Sequence, residues 1–353
     1  MSNDLERRLV DSASLQAYLT QALPLADASA PLQIERIRGG HSNETFFIAS
    51  GTQEFVLRRP PYGPLLPTAH DVGREYRILN ALADTTVPVP RPLLYCDDVQ
   101  IIGAPFYLME RIPGLAIRDK LPPAFVSDVQ ARAGIGEALI DALAELHLVD
   151  WRSVGLESFG KPQGYLVRQL RRWTGQLDAS RTRDIPDLDA VTLWLQQHLP
   201  ESSHATIVHG DYRLDNALLA SEPPARVLAI VDWEMATLGD PLADVGYLLS
   251  FWREASDPSF SLGDASWEIT GQPGFSTRAA LVQRYMERTQ RKVEHIDFYI
   301  ALAIWKLAIL LEGSYKRYLS GTTDDPFFPM LERGVPALAA RALSVCHGEM
   351  NFL

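Results

Sequence analysis

The chain has 353 residues, of which 46% are hydrophobic and 22% charged, a composition typical of a globular protein long enough for two domains. Its 33 lysine and arginine residues stand against 44 acidic ones, and the net charge of -11 argues against nucleic acid or an anionic membrane surface as a partner. Only Cys96 and Cys346 are present, so neither a disulfide framework nor a paired-cysteine metal site is expected. The N-terminal MSNDLERRLV lacks the apolar core of a signal peptide, and Lys306 interrupts the longest apolar stretch. We therefore expect a cytoplasmic protein.

The first part of the chain predicts a small antiparallel sheet with helices. An amphipathic helix is expected over Leu5–Leu23, followed by strand-like runs at LQIERIR, ETFFIAS and EFVLRR. The apolar spacing of AHDVGREYRILNALA predicts a helix, which the prolines of VPVPRP end because proline cannot supply an amide hydrogen. APFYLMERIPG predicts a last strand that ends at Pro113 and Gly114.

The pattern becomes mainly helical near residue 110. IGEALIDALAELHLVDW and FYIALAIWKLAILLEGSYKRYL are long helical patterns, and only the runs around IVHGD and VLAIVDW indicate extended structure. We therefore predict two domains, residues 1–110 and 111–353, of which the second is mainly α-helical.

Polar residues follow both of these short strands. Asp211 and Asp232 are 21 residues apart, at the ends of two strands that we expect to be neighbours, which would bring the carboxylates together. One carboxylate near a substrate hydroxyl can accept its proton, while the other, with the amide oxygen of Asn216, offers the oxygen ligands that Mg²⁺ prefers. These groups are the ones that phosphoryl transfer requires.

Two of these segments resemble the aminoglycoside phosphotransferase family of small-molecule kinases. HGDYRLDN at 209–216 is similar to the catalytic loop of the family, and VDWEMATLGDPLADVGYLL at 231–249 to its metal-binding segment. ALAELHLVDW at 142–151 resembles the helix before the substrate region. VLRRPPYGPLLPTAHDVGREYRIL and HGDYRLDN are similar to the branch linked to acyl-CoA dehydrogenases. The resemblance covers nearly the whole chain. It implies an α+β, bilobal protein-kinase-like fold, with a nucleotide-binding N-lobe over 1–110 and a catalytic, substrate-binding C-lobe over 111–353.

By position, the resemblance makes Asp211 the catalytic base, Asn216 and Asp232 magnesium ligands, and His209 an organiser of the loop. Arg213 lies where protein kinases have a lysine that reaches the transferred phosphoryl group, and a fixed cation there would stabilise developing charge. The alternative for each residue is a turn-capping or buried hydrogen-bonding role.

Two further carboxylates, Asp240 and Asp244, follow in GDPLADVG. A carboxylate before or within the first turn of a helix stabilises the unpaired amide hydrogens there. We therefore expect both side chains to support the structure of the site.

The nucleotide side departs from the protein-kinase pattern, because GGHSNETFF contains no Gly-x-Gly-x-x-Gly motif. The family resemblance implies that Ser42, Asn43 and nearby backbone amides face the phosphates. Arg58 in VLRR replaces the usual strand lysine, and Glu75 would orient it, unless Glu75 is a solvated helix residue. The segment expected to lie along adenine consists of Met109, Glu110 and Arg111. The implied cofactors are ATP, or GTP, and Mg²⁺.

The segment from Gly160 to Ile185 suggests the acceptor. Its charged residues are Lys161, Arg168, Arg171, Arg172, Arg181 and Arg183 against Asp178 and Asp184, an excess of basic residues in an acidic chain. Arg168 and Arg172 are one helical turn apart and would share a face suited to a carboxylate or phosphate, although a solvated face is the alternative. We expect an anionic hydroxy acid or hydroxyacyl-CoA as the small-molecule acceptor, and no obligate protein partner.

Three other functions stay open at this stage. The chain could be an aminoglycoside or amino-alcohol kinase, or a nucleotide-binding module that has lost its chemistry, which the replacement of the lysine by Arg58 keeps open. A metal-dependent phosphohydrolase is the weakest alternative, because the eight histidines show no ligand spacing.

Overall fold

The computed structural model describes residues 9–24, 27, 29–37, 43–62, 70–202, 204–258, 265–321 and 327–350. The chain divides into two compact units. The first contains Met1–Pro113 and Ala229–Glu234, and the second contains Gly114–Leu228 and Met235–Leu353. The segment Ala229–Glu234 therefore belongs to the first unit, although it lies far along the chain.

The first unit is built on a five-stranded antiparallel sheet in the order β1-β2-β3-β5-β4. Its strands are β1 (Gln33–Arg36), β2 (Glu44–Ser50), β3 (Gln53–Arg59), β4 (Pro92–Cys96) and β5 (Phe106–Glu110). The predicted antiparallel sheet is confirmed. No strand was predicted at β4, because prolines precede and begin it. Proline is tolerated there since it is the first residue of an edge strand.

Three helices accompany this sheet: α1 (Ser12–Ala22), α2 (Val72–Leu82) and α3 (Val99–Ile102). Helix α1 begins after Asp11, whose carboxylate accepts a hydrogen bond of 2.7 Å from the Ser14 amide. Residues 5–8 of the helix predicted over Leu5–Leu23 lie outside the described residues. Leu15 and Leu19 of this helix are buried in the core of the unit.

Helix α2 begins after Asp71, whose carboxylate accepts a hydrogen bond of 3.0 Å from the amide of Arg74. Its buried residues are Val72, Glu75, Ile78, Leu79 and Leu82. Glu75 is thus a carboxylate on an otherwise apolar face, and burying it requires partners.

The second unit is mainly helical, as predicted. Its helices are α4 (Pro123–Ser127), α5 (Ala133–Leu148), α6 (Tyr165–Ser180), α7 (Pro186–Gln197), α8 (Leu242–Phe251), α9 (Arg278–Thr289), α10 (Ile296–Leu319) and α11 (Leu331–Cys346). Helix α10 packs against α6, α7, α8 and α11, and buried residues cover most of its circumference, as expected for a central helix. No helix among the described residues is long and apolar enough to cross a membrane.

Short strands carry the loop with the polar motif. These are β6 (Thr206–Val208), β7 (Ala217–Leu219), β8 (Val227–Ile230) and β9 (Thr237–Gly239). The expectation that the strands before Asp211 and Asp232 are neighbours was wrong: β6 pairs with β9, and β7 pairs with β8. Apolar runs of three or four residues indicate strands, but they carry no information about the partner strand.

Candidate active site

The loop after β6 makes a sharp turn at Gly210. Its φ of +86° lies in the left-handed region, and a Cβ at this position would lie 2.7 Å from the carbonyl oxygen of Met235. Only glycine fits both conditions. The turn directs the chain from His209 to Asp211 and then into a short 3₁₀ helix over Leu214–Asn216.

A buried carboxylate on α8 anchors this loop. Asp244 accepts hydrogen bonds from the backbone amides of His209, at 2.7 Å, and Gly210, at 2.8 Å. Its Oδ2 also lies 3.2 Å from Nε2 of His147 on α5, whose Nδ1 lies 2.8 Å from the hydroxyl of Tyr285. Asp244 therefore supports the site through the amides of the loop, and the expectation that it stabilises amides of its own helix was wrong.

Asp240 fulfils the capping role that the sequence predicted. Its Oδ1 accepts a hydrogen bond of 3.0 Å from the amide of Leu242, at the start of α8, and its Oδ2 accepts one of 2.9 Å from the hydroxyl of Tyr299. The beginning of α8 is therefore fixed to α10, which fixes the position of Asp244 in turn.

The ionisation of the anchor follows from burial and its hydrogen bonds. Burial alone would raise the pKa of Asp244, but the hydrogen bonds from His147 and Gly210 outweigh it, so the pKa is lowered. Burial lowers the pKa of His147 despite the neighbouring carboxylate. The pair is therefore a carboxylate that accepts a hydrogen bond from a neutral imidazole.

His209 is completely buried and organises the loop from inside. The backbone amide of Asp211 lies 3.3 Å from His209 Nδ1, and the imidazole packs edge-to-face on Tyr212, with ring centroids 5.9 Å apart. The hydroxyl of Tyr212 donates a hydrogen bond of 2.7 Å to the carbonyl of Leu139. These contacts agree with a positioning role for His209.

The carboxylate of Asp211 is held by its neighbours in the loop. Asn216 Nδ2 donates to the Asp211 carboxylate at 2.7 Å and to its carbonyl at 2.8 Å. Arg213 Nε lies 3.6 Å from Asp211 Oδ1, and Arg213 Nη2 lies 2.9 Å from Asp215. About a quarter of the Asp211 side chain is exposed, at 25%, so a fixed carboxylate reaches the surface of this unit.

Aromatic residues of α8 border the same loop. The guanidinium of Arg213 lies 5.0 Å from the ring centroid of Phe251, whose ring is 5.1 Å from that of Tyr247. Burial raises the pKa of Tyr247 well above its ordinary value, and the hydrogen-bonded Asp211 carboxylate raises it further. Burial likewise raises the pKa of Asp215. Tyr247 therefore stays protonated and can donate to Asp211.

The first unit contains a buried polar cluster around Glu75. Arg58 Nε lies 3.2 Å from Glu75 Oε2, which also accepts a hydrogen bond of 2.9 Å from the Tyr107 hydroxyl, and Asn43 Nδ2 donates to Glu75 Oε1. The ion pair between Arg58 and Glu75 that the sequence suggested is thus present. Arg58 Nη2 also lies 3.1 Å from Asp232 Oδ1, a contact that the sequence did not suggest.

Burial and charge oppose each other in this cluster. Burial raises the pKa of Glu75, although Arg58 lowers it. Burial would lower the pKa of Arg58, but Glu75, Tyr107 and Asp232 together raise it above its ordinary value. Arg58 is therefore a permanent cation held in place by two carboxylates.

Asp232 has an unusual backbone conformation. Its φ of +68° is left-handed, which is uncommon outside glycine but is tolerated by aspartate more often than by most residues. About a third of its side chain is exposed, at 31%, whereas Arg58 is nearly buried. Because Asp232 Oδ1 contacts Arg58, Asp232 Oδ2 is the oxygen that can coordinate a metal ion or accept a hydrogen bond from a ligand.

Asn216 and Asp232 each offer an oxygen of a type that Mg²⁺ binds. Because the Asn216 amide nitrogen donates to Asp211, its oxygen is the group left to accept or coordinate. No group of three or more His, Cys, Asp or Glu side chains in the described ranges could hold a metal. Mg²⁺ commonly binds through one or two carboxylates plus substrate phosphates and waters, so the Asp232 carboxylate in the first unit and the Asn216 amide oxygen in the second are each a type of ligand that suits this ion.

The remaining residues predicted for the nucleotide site lie on β5 or near β2. Ser42 is outside the described residues. Met109 is buried in the sheet opposite Val56, and Glu110 ends the strand. Arg111 is exposed; its guanidinium lies 4.2 Å from the ring of Phe47 and 2.8 Å from Glu54. The structure thus places Met109, Glu110 and Arg111 consecutively at the end of one strand.

Part of the basic segment is engaged in internal ion pairs. Arg181 pairs with Asp189 at 2.5 Å, and Arg183 pairs with the buried Glu312 at 3.2 Å. These two arginines tie the end of α6 to α7 and α10. Their charges are neutralised within the chain, so they do not argue for an anionic acceptor.

Arg168 and Arg172 differ in their surroundings although both lie on α6. The Arg168 guanidinium donates to the carbonyls of Lys161 and Gln163, before the helix begins. Arg172 is exposed, with its guanidinium 5.9 Å from the ring centroid of Trp173, and it forms no ion pair within the part of the chain that the structure describes. Of the two arginines, Arg172 is the more available to a ligand.

The sequence interpretation missed several side chains that build the site. His147 lies in the quoted motif ALAELHLVDW, and a lone histidine on an apolar helix face was its only signal. Tyr107, Asp215 and Tyr247 gave no signal, because their roles depend on contacts with residues distant in sequence or on the geometry of the loop.

The chain resembles known proteins over most of its length. A family model described as the phosphotransferase enzyme family (APH) matches residues 33–281. Acyl-CoA dehydrogenase family member 11 from Rattus norvegicus is 39% identical over 355 residues, a match that covers 96% of this chain but 44% of that protein. The chain thus spans less than half the length of this relative, and the predicted resemblance to the acyl-CoA-dehydrogenase-linked branch is confirmed.

Solved structures share the fold. A protein from Ralstonia eutropha JMP134, assigned to the aminoglycoside phosphotransferases, is 33% identical with a TM-score of 0.78, covering 96% of this chain and 98% of that one. A spectinomycin phosphotransferase, solved in complex with ADP and spectinomycin, is 12% identical with a TM-score of 0.55, covering 94% and 98%. The predicted α+β, protein-kinase-like fold is confirmed, and the chain belongs to the APH family of phosphotransferase enzymes.

Proposed function

We propose that this phosphotransferase moves the γ-phosphoryl group of ATP to a hydroxyl of an anionic small molecule, such as a hydroxy acid or a hydroxyacyl-CoA. The observation that carries the proposal is the Asp211 carboxylate, fixed by Asn216 and flanked by Arg213 in a loop anchored on Asp244. A general base has to be held within hydrogen-bonding reach of the hydroxyl, and this loop provides a held, partly exposed carboxylate.

In the reaction, the acceptor oxygen forms a bond to the γ-phosphorus while the bond between that phosphorus and the β,γ-bridging oxygen breaks. Asp211 accepts the hydroxyl proton, and ADP leaves with the bridging oxygen. Arg213 supplies a positive charge beside the base, where it can stabilise charge on the transferred group.

The first unit supports nucleotide binding. Arg58, oriented by Glu75, would contact the phosphates through the guanidinium fork, and Asn43 holds the opposite oxygen of Glu75. Asn216 and Asp232 would hold Mg²⁺, which neutralises phosphate charge when bound. The ADP bound to the related spectinomycin enzyme supports an adenine nucleotide, and Met109, Glu110 and Arg111 would line its base.

An anionic acceptor is favoured by Arg172, which is exposed on α6 and forms no ion pair within the described ranges. Arg168 would contribute indirectly, by holding the chain before α6. The names of the relatives point in two directions, to acyl-CoA dehydrogenases and to aminoglycoside phosphotransferases. An aminoglycoside or amino-alcohol acceptor is therefore the second candidate.

The experiment is a coupled assay of ADP release with Mg-ATP and three acceptor classes: free hydroxy acids, hydroxyacyl-CoA thioesters and aminoglycosides. We expect the highest kcat/KM with an anionic acceptor and a marked loss in Arg172→Glu. Efficient phosphorylation of an aminoglycoside would replace this proposal by the second candidate. ADP release that needs no acceptor would indicate hydrolysis.

A further inference from the structure

A lysine of α10 lies beside the proposed base without a carboxylate partner. Lys306 is half-buried, and its Nζ lies 5.4 Å from the ring centroid of Trp173 and 6.0 Å from that of Tyr247. Within the described residues, its ammonium group has no ion pair and no hydrogen bond. Its Nζ faces two aromatic rings.

Two arginines of this unit show the usual arrangement, in which a carboxylate of the chain pairs with the cation. The buried Arg278 lies 2.6 Å from Asp257, and the partly exposed Arg284 lies 2.7 Å from Asp141. An ammonium removed from water without a hydrogen-bonding partner is costly, and contact with aromatic faces recovers only part of that cost. Among the described residues, Lys306 is therefore a partly buried cation that no carboxylate contacts directly, which leaves its ammonium available to an anionic ligand.

Burial and the neighbouring carboxylates act on the pKa of Lys306 in opposite directions. Burial lowers the pKa of Lys306 to about 8, while Asp244 and Asp211 raise it and Arg172 lowers it. An anion bound at the ammonium would restore the charged form, because an opposite charge nearby favours it.

Two contacts locate this ammonium relative to the reaction. On one side, the Tyr247 ring connects it to Asp211, with which the Tyr247 hydroxyl interacts. On the other side, the Trp173 ring connects it to the exposed guanidinium of Arg172. Lys306 thus belongs to a row of groups that runs from the base to the basic face of α6.

We propose that Lys306 is the residue that selects an anionic acceptor, by binding a carboxylate or phosphate of the substrate while the hydroxyl reaches Asp211. This inference rests on the function proposed above and deepens it. Arg172 acts at the outer end of the row. The same ammonium disfavours cationic acceptors, because it already lies at the two aromatic faces that a substrate cation would use and repels a second positive charge.

The test compares anionic acceptors with uncharged analogues that carry the same hydroxyl group. β-Hydroxybutyrate is paired with its uncharged methyl ester, and β-hydroxybutyryl-CoA with the N-acetylcysteamine thioester, which lacks the CoA phosphates. The first pair reports on a carboxylate and the second on a phosphate. The variants are Lys306→Met, Lys306→Arg and, as a matched control, Arg171→Gln, which removes an exposed charge from α6.

We expect Lys306→Met to lower kcat/KM for the anionic member of at least one pair by about 10- to 100-fold, mainly through KM, as for loss of one contact between charged groups. The neutral member and the KM for ATP should change less than about twofold. Lys306→Arg should recover part of the loss, and Arg171→Gln should resemble wild type. Melting shifts with each acceptor and Mg-ADP provide a second readout that does not need turnover.

Two outcomes would overturn the assignment, and they are distinguishable. If wild type prefers anions and Lys306→Met keeps the same preference, the role of Lys306 is wrong while the proposed function stands. If wild type uses or binds the neutral members or kanamycin as well as the anionic members, both the acceptor class and the role of Lys306 are wrong.

Discussion

Two regions of the second unit lie near the proposed catalytic base, Asp211. They differ in whether the chain pairs their charged groups. Around Asp244, two backbone amides and His147 surround the carboxylate, so the chain itself provides the partners of the charge. Such a satisfied buried network fixes a single local structure.

Around Lys306, by contrast, the charge faces Trp173 and Tyr247, and no carboxylate pairs with it within the described part of the chain. The contrast between Asp244 and Lys306 indicates that charged residues near an active site can serve two purposes. A charge with partners in the chain holds the loop, whereas a charge without them indicates a ligand. The predictions below test this distinction, beginning with the largest expected effect.

Removing the anchor should affect stability most. Asp244→Ala leaves the amides of His209 and Gly210 buried without an acceptor, and we expect a loss of about 3 kcal/mol or more in the free energy of unfolding. Urea denaturation measures it. Asp184→Ala, at a 98% exposed carboxylate, is the control and should change stability by less than about 0.5 kcal/mol. Equal effects would refute the anchoring role.

Replacing the base should affect turnover and not folding. Asp211→Asn keeps the shape of the side chain but removes the proton acceptor, so kcat should fall on the order of 10²-fold or more. Because Asp211 is partly exposed, urea denaturation should give nearly unchanged stability. The melting shift with Mg-ATP should also persist. A variant with nearly wild-type turnover would exclude Asp211 as the base.

Removing the proposed metal carboxylate should weaken nucleotide binding. Asp232→Ala should lose activity and most of the magnesium-dependent melting shift with ATP, since a ligand stabilises only by binding the folded state. Asn216→Ala should have a smaller effect in the same direction. The control is Asp84→Ala, at an 89% exposed carboxylate of the same unit. An unchanged shift in both site variants would place the metal elsewhere.

Arg213 is a possible exception to the rule that charges with partners in the chain only hold the loop. It pairs with Asp211 and Asp215, and we nevertheless expect it to act on the substrate. Arg213→Ala should lower kcat by about 10-fold, through loss of transition-state stabilisation, with a smaller change in nucleotide affinity. Initial-rate kinetics over a range of ATP concentrations separates the two. Equal losses in kcat and affinity would make Arg213 a binding residue only.

The smallest expected effect is a pH dependence of stability. The pKa of His147 is lowered from 6.5 by burial, so the unfolded chain binds a proton here more readily than the folded one. Stability should therefore be complete above about pH 6.5 and decline as pH falls below it, by about 1 kcal/mol within one pH unit. Urea denaturation at several pH values measures this slope, and His147→Gln should reduce it. An equal slope in the variant would assign it to other groups.

Local patterns in the sequence were sufficient for much of the fold. Apolar spacing predicted α2 and the long α10, and strand-like runs predicted β2, β3 and β5. Strand β4 was missed because its prolines obscured the pattern. The expectation that β6 and β8 are neighbours was wrong, because short apolar runs do not specify partners: β6 pairs with β9. Sequence periodicity thus identified elements better than it identified their neighbours.

The site was predictable where residues are close in sequence. The spacing of Asp211, Arg213 and Asn216 indicated one loop, and the structure brings these side chains together. The contact of Arg58 with Asp232 spans 174 positions, and the position of Lys306 beside Tyr247 depends on helix packing. Such contacts follow from tertiary structure, which local sequence patterns do not specify.

The left-handed backbone at Asp232 restricts which residues evolution can substitute there. At a φ of +68°, most side chains cost about 1–2 kcal/mol, while glycine, asparagine and aspartate are tolerated. Of these three, only aspartate carries a carboxylate. Loss of function at this position should therefore arise most readily through asparagine or glycine, which keep the fold. Inactive descendants of this enzyme would then be recognisable by an intact structure with one of those residues at position 232.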